Sequence, residues 1–261
     1  MFFLLPLGVV FGVSLASRGL YGGVEWTGTL ENYRRLVDPM IGAIFVRSIL
    51  FASMTTLVCA VVGFPLAYMV ARASQRWQLV WLTLVMIPFW TNFLVRTYAW
   101  VLILRADGLV NSLLLQLEIQ SEPLPLLFTD LAVGVGLVYG YLPFMVLPLI
   151  VAIERIPRQL EEAAYDLYAS VGAMFRHIVL PLSKPGFWAG GLLVFIPSLG
   201  AFITPYLLGG GQKMMIGTLI QQEFLVSRDW PFGSALSFGL MGTALVLWFV
   251  VSRTSLGRDV E

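Results

Sequence analysis

The sequence predicts an all-α membrane protein that crosses the bilayer six times, and three observations carry that prediction. Hydrophobic residues make up 58% of the 261 and charged residues only 12%, with a mean hydropathy of +0.85. Soluble domains hold roughly 45–50% and about 25% of these classes. The apolar residues gather in uncharged runs, most of them near the ~20 residues that a helix needs to cross about 30 Å of hydrocarbon. The runs are continuous and do not alternate in ten-residue strands, which excludes a barrel. They fall at about 1–17, 48–71, 77–104, 131–153, 185–208 and 230–252, with a cytoplasmic loop at about 154–186, and the whole chain reads as a single transmembrane domain.

The first run is short and lacks the basic start of a signal peptide, although Ser14-Leu15-Ala16 could pass as a cleavage site. It is taken as the first span. The loop at 18–41 contains TLENYRRLVDP, which predicts a short surface helix ending before Pro39. The second span holds Cys59, the one cysteine of the chain, so no internal disulfide can form.

In the third span Pro88 predicts a kink, and Thr91, Asn92 and Arg96 bring polar groups toward the outer half. A charge at that depth either serves function or a neighbouring subunit, or snorkels to the headgroups. Residues 105–130 read as an outer loop with a short amphipathic helix, its turns marked by Asp107-Gly108 and Pro123 to Pro125. Gly134 and Gly136 thin the fourth span for close packing, and Pro143 and Pro148 bend it.

The fifth span is interrupted by Pro197, Gly200 and Pro205, the pattern of a kinked or unwound helix along a transport path. Phe202 and Tyr206 lie four apart, with Ser198 and Leu199 nearby. Aromatic rings there either hold a cation or pack on a neighbour. The run from Gly209 to Lys213 is a turn and not a phosphate loop, because the Lys-Ser/Thr pair and the preceding strand are absent. A short outer segment with Glu223, Arg228 and Asp229 leads into the sixth span.

The one extended polar segment in the second half is QLEEAAYDLYASVGAMFRHIVLPLSKPG, Gln159 to Gly186. Leu160, Ala163, Ala164, Leu167 and Val171 form an apolar stripe at helical period, opposite Glu161, Glu162, Tyr165, Tyr168 and Ala169. The helix should bend near Gly172, and Pro181 and Pro185 oppose a long continuation. A helix, a turn and a second short segment between two spans make a docking knob. If this loop is cytoplasmic, eight basic residues lie inside (Arg72, Arg76, Arg155, Arg158, Arg176, Lys184, Arg253 and Arg258). Six lie outside, in longer loops: Arg18, Arg34, Arg35, Arg105, Lys213 and Arg228. The bias agrees with that orientation and with both termini inside.

The chemistry of an enzyme is missing. There is no nucleophile elbow, no paired carboxylates on a membrane face and no metal spacing, and His177 is the lone histidine. A net charge of +1 without a basic cluster gives no footprint for nucleic acid. A carrier driven by protons or sodium would usually bring an embedded carboxylate or an inverted repeat, and neither is evident.

The polar segment resembles the EAA loop of binding-protein-dependent ABC importer permeases. Glu162-Ala163-Ala164 supplies the Glu-Ala-Ala run, and Ile178, Leu180 and Pro181 match its distal Ile-x-Leu-Pro, while Tyr168 stands where the family has Gly. PFWTNFLVRTYAW, LVYGYLPFMVLPL, the Leu-Leu-Gly-Gly after span five and Arg228-Asp229-Trp230-Pro231 look like the spermidine/putrescine subgroup. Iron, sulfate and thiamine permeases of the same family are the rival substrate classes.

The resemblance implies the type I permease fold of six helices in a bacterial inner membrane. It also implies a second permease subunit, two ATPase subunits inside and a soluble binding protein outside, where the segment at 18–41 is a docking site or a connector. ATP and Mg would belong to the ATPases, and this chain would bind no cofactor and hydrolyse nothing. Coupling is expected from Glu162, Ala163, Ala164, Asp166, Ala169, Ser170, Gly172 and Phe175, with Met174 and Phe175 as buried anchors. The substrate path is expected to involve Trp90, Asn92, Trp100, Asp107, Phe202, Tyr206 and Glu223.

Overall fold

A computed structural model describes residues 4–19, 22–211 and 213–256, with the side chains of 248 and 250–256 not described. Helices run through it in the order α1 (Leu4–Ser14), α2 (Glu31–Arg35), α3 (Pro39–Arg72), α4 (Gln75–Trp90), α5 (Phe93–Leu104), α6 (Leu109–Gln116) and α7 (Asp130–Glu154). Then come α8 (Arg158–Asp166), α9 (Val171–Met174), a π-helical turn (Phe175–Val179), α10 (Leu180–Leu182), α11 (Lys184–Leu199), α12 (Ile203–Gly209), α13 (Ile216–Leu225) and α14 (Trp230–Leu256). The strands β1 (Ser17–Arg18) and β2 (Val24–Glu25) pair antiparallel. The chain divides into two compact units, one of residues 1–50, 199–206 and 210–261, the other of 51–198 and 207–209.

In the first unit, Ile216, Leu219, Phe232 and Leu236 form a buried core against which Leu36, Ile41, Ile44 and Phe45 pack. The predicted outer helix is α2, and Pro39 opens α3 as the fixed φ of a first helical residue allows. Asp38 caps α3 by accepting from the Met40 amide at 2.8 Å. Asn32 is buried and ties α2 back to the end of α1, donating to the carbonyls of Ser14 (2.9 Å) and Ala16 (2.7 Å). Ser48 accepts from the first amide of α13 at 2.7 Å. Asp229 pairs with Arg35 at 2.8 Å and receives the Phe232 amide at 3.1 Å, so one carboxylate caps α14 and holds α2.

In the second unit, α3, α4, α7 and α11 share a core that includes Cys59, Ala67, Met145, Leu149, Ile153 and Val194. Phe89 meets Phe144 edge-on at 4.9 Å, and Trp100 meets Tyr139 at 5.5 Å. The close packing predicted for Gly134 is found elsewhere. A Cβ at Gly134 would meet nothing within 4 Å, whereas one at Gly186 would lie 2.6 Å from Ala152 Cβ and 2.9 Å from the Pro148 carbonyl. Gly190 is as tight against the Met145 backbone, at 3.1 Å. The small residues that let α7 and α11 approach are on α11.

The fold is mostly helical as expected, and six long spans are not confirmed among the described residues. Among the described residues four helical stretches are long and apolar enough to cross a membrane: Pro39–Arg72, Phe93–Gln116, Asp130–Glu154 and Trp230–Leu247. A fifth arises if Val171–Leu182 and Lys184–Leu199, bent by 64°, count as one. The described part of the first run is an 11-residue helix, about 16 Å long at about 1.5 Å per residue, and Ser17 lies in a strand. The third run is broken, not merely kinked. Pro88 stays inside α4, the backbone turns extended at Thr91 and Asn92, and Asn92 caps a new helix by accepting from the Leu94 amide at 2.8 Å.

The fifth run breaks at residues 200–202, near the predicted interruption, and α12 is closed by Gly210 in the left-handed conformation that glycine permits. Gln212, part of the predicted Gly-rich turn, lies outside the described residues, as does Arg258. Gly186→Ala should lower stability by about 1–3 kcal/mol through overpacking, while Gly134→Ala should leave it unchanged. Thermal unfolding of the two detergent-solubilised variants checks this.

Candidate functional site

The segment from α8 to α10 is built by three local devices. Pro157 enters α8, and the Arg72 carbonyl accepts from the Arg158 guanidinium at 3.2 Å. At the far end the Tyr168 amide donates to the Tyr165 carbonyl and the Ala169 amide to the Ala164 carbonyl, both at 2.9 Å. This pair of bonds is the Schellman ending, which requires a left-handed residue just past the cap. Tyr168 supplies it with φ +57°. The turn therefore survives at the position where the sequence has Tyr in place of Gly, at a cost of about 1–2 kcal/mol for a residue with a Cβ. Ser170 then caps α9, accepting from the Ala173 amide at 3.3 Å. The helix breaks at 167–170, and Gly172 lies inside the first turn of α9, not at the bend. Pro181 does not end the chain's helical path, since a π-helical turn precedes it.

The inward face of α8 differs from the apolar stripe. Ala164 and Glu161 are buried, while Leu160, Ala163, Leu167 and Val171 are exposed, Leu167 at 81%. Tyr168 is 97% exposed. The Glu161 carboxylate is held by the last turn of α3. Tyr68 donates to Oε2 at 2.9 Å, Arg72 Nε donates to Oε1 at 2.9 Å, and Arg72 Nη2 bonds the same oxygen. Arg72 Nη2 also donates to the Ile156 carbonyl at 3.1 Å. Removing one partner of a buried pair of this kind costs about 3–5 kcal/mol. Met174 is buried, and Phe175 packs on Tyr68 at 4.6 Å and on Phe64 at 6.1 Å, so both anchor the segment to this chain's own α3.

Among the residues expected to couple, Glu162, Ala163, Asp166, Ser170 and Gly172 are exposed, Ala164 is buried, and Ala169 and Phe175 are half-buried. Sequence reasoning placed Glu161 on the polar face and missed its partners; Tyr68 and Arg72, one turn apart at the end of a span, were the available signal. Beside the segment, a cavity of about 510 Å³ opens between Pro148, Ile156, Leu160, Leu182 and Gly186.

The expected path residues are divided between the two units, Trp90, Asn92, Trp100 and Asp107 in the second and Phe202, Tyr206 and Glu223 in the first. Trp90 is 75% exposed at the end of α4, and Asn92 is spent on capping α5. Trp100 packs on Tyr139, and Asp107 pairs with Arg105 at 3.1 Å beside a cavity of about 340 Å³. Phe202 and Tyr206 are both exposed, but Ser198 and Leu199 are buried and share no open face with them. Glu223 is half-buried on α13. Burial is the main influence on its carboxyl and raises it above the usual glutamate range, with Asp229 acting the same way and Ser227, Arg35 and Arg18 opposing. Arg96 Nε and Nη1 are buried and have no hydrogen-bond partner among the described residues. Its guanidinium lies 5.5 Å from the ring centres of both Phe89 and Phe93. Among the described residues no group of His, Cys, Asp or Glu could hold a metal ion.

Residues 63–261 match the family model described as the binding-protein-dependent transport system inner membrane component. The chain belongs to that family. The spermidine/putrescine transport system permease protein PotB of Haemophilus influenzae is 40% identical to this permease, the match covering 100% of this chain and 92% of that one. PotB of Escherichia coli is also 40% identical, with 100% and 96% covered. The Escherichia coli inner membrane ABC transporter permease protein YdcU is 34% identical over 88% of this chain and 76% of its own. A bacterial alginate ABC transporter, in complex with alginate pentasaccharide-bound periplasmic protein, has the same fold. Its TM-score is 0.72 at 17% identity, over 97% of this chain and 86% of that one.

Family membership makes this chain a permease subunit of an ABC importer, not an enzyme. The strain at Tyr168 is open to measurement. Tyr168→Gly should raise the unfolding temperature of the permease, by a gain of about 1 kcal/mol or less once the extra freedom of glycine is offset. Tyr168→Val should lower it.

Proposed function

We propose that this chain is one of two pore-forming subunits of an ATP-driven importer that carries a polyamine, spermidine or putrescine, inward from a soluble binding protein by alternating access. The observation that carries the substrate class is the 40% identity, along the whole chain, to permeases of spermidine/putrescine transport systems. The membrane topology of this reading is six crossings with both termini cytoplasmic. The α4–α5 pair makes one crossing, and the bent α11 with α12 makes another.

The exposed stripe of Leu160, Ala163, Leu167 and Val171 supports a role for α8 and α9 as the surface gripped by an ATPase subunit. Apolar residues on a cytoplasmic knob stay exposed at a cost unless a partner covers them. Glu162, Asp166 and Ser170 rim that surface as its polar contacts. ATP and Mg sit on the ATPases, and this chain supplies the moving part. On the substrate side, Asp107 pairs with Arg105, and burial raises the Glu223 carboxyl above the usual glutamate range. The exposed rings of Trp90, Phe202 and Tyr206 are cation-holding groups this chain offers, through cation–π contact. The partner permease then supplies most of the carboxylate charge.

The test is ATP hydrolysis by the complete complex in vesicles, with its binding protein present. Spermidine or putrescine should stimulate hydrolysis, and sulfate, iron or thiamine should not. Stimulation by one of those three in place of the polyamines would overturn the substrate class.

A further inference from the structure

The coupling segment is sequentially attached to α7 and α11, yet its firmest tie is to α3. Glu161 on α8 has both carboxylate oxygens satisfied by Tyr68 and Arg72, neighbours one turn apart on α3. The side chains of Arg72 and Glu161 are only 14% and 12% exposed, so water competes little for this pair. Two further bonds knit the same spot: Arg72 Nη2 to the Ile156 carbonyl before α8, and Arg158 to the Arg72 carbonyl. Phe175, beyond α9, packs on the ring of Tyr68. Every one of these ties converges on the last turn of a 34-residue helix, one long and apolar enough to cross a membrane. A displacement of α8 therefore has a rigid route into α3 that bypasses the bend between α10 and α11.

We propose that Glu161 is a positioning residue that clamps α8 to Tyr68 and Arg72, so that α3 moves with the coupling segment when the ATPase closes. The proposal rests on the reading of α8–α9 as the ATPase-gripped surface. Glu161 touches neither substrate nor nucleotide. Its neighbour Glu162 is exposed and free to meet the ATPase, which separates the two glutamates into an inward clamp and an outward contact.

The test compares ATP hydrolysis with spermidine uptake in vesicles containing the complete complex and spermidine-loaded binding protein. Glu161→Gln should retain the ATPase subunits and hydrolyse ATP, while the ATP consumed per spermidine imported rises at least tenfold. The exchange Glu161→Arg with Arg72→Glu should restore that ratio to within about twofold. Tyr68→Phe, which keeps the ion pair and loses one bond, should raise the ratio less; it carries the test if Glu161→Gln fails to fold. An unchanged ratio in these variants, or uptake and hydrolysis falling in proportion, would overturn the clamp.

Leu167→Asp separates the clamp from the reading beneath it. If Leu167→Asp releases the ATPase while Glu161→Gln leaves the ratio unchanged, only the clamp fails. If Leu167→Asp leaves assembly and hydrolysis intact, the coupling reading fails and the clamp falls with it.

Discussion

A carboxylate taken out of water at the edge of a membrane must find its partners within the protein, and here that requirement sets the rotation of α8. Glu161 can be buried only where Tyr68 and Arg72 can reach it, at the last turn of α3. Once it is turned inward, the Leu160–Ala163–Leu167 stripe, about 100–160° away around the helix, is turned outward. The exposed apolar surface that suits an ATPase subunit is thus a consequence of where one charge is satisfied. The same spot receives Met174 and Phe175, so α9 is drawn onto the same support.

The turn between the two short helices obeys a separate constraint. Its two hydrogen bonds demand a left-handed residue, which is the physical reason that a glycine suits this position. Tyr168 meets the demand with strain and leaves its ring in the open. Backbone geometry is kept while the side chain at the tip changes, so the ring is available to a partner without any change in the scaffold.

Much of this was legible in the sequence. Composition and run length gave the helical membrane class, TLENYRRLVDP gave α2, and the Pro197/Gly200 pattern marked the break before α12. The Glu162-Ala163-Ala164 run and Ile178-x-Leu180-Pro181 pointed to the permease family to which the chain belongs. Other features were not legible because they depend on contacts between distant residues. Nothing local distinguishes Glu161, which is buried, from Glu162, which is not. Gly134 reads as a packing glycine as well as Gly186 does, and only the neighbouring helix decides between them. The broken third run turns on Asn92, whose capping hydrogen bond competes with helix continuation, a competition that hydropathy does not register.

The central claim is that one side of the α8–α9 segment belongs to α3 and the other to an ATPase subunit. Site-specific photo-crosslinking in the assembled complex tests it most directly, with the reactive side chain placed at Leu167 or at Met174. The account predicts efficient linkage to the ATPase from position 167 and none from position 174, which links within the permease. An ATPase crosslink from position 174, or none from position 167 in a complex that hydrolyses ATP, would contradict it.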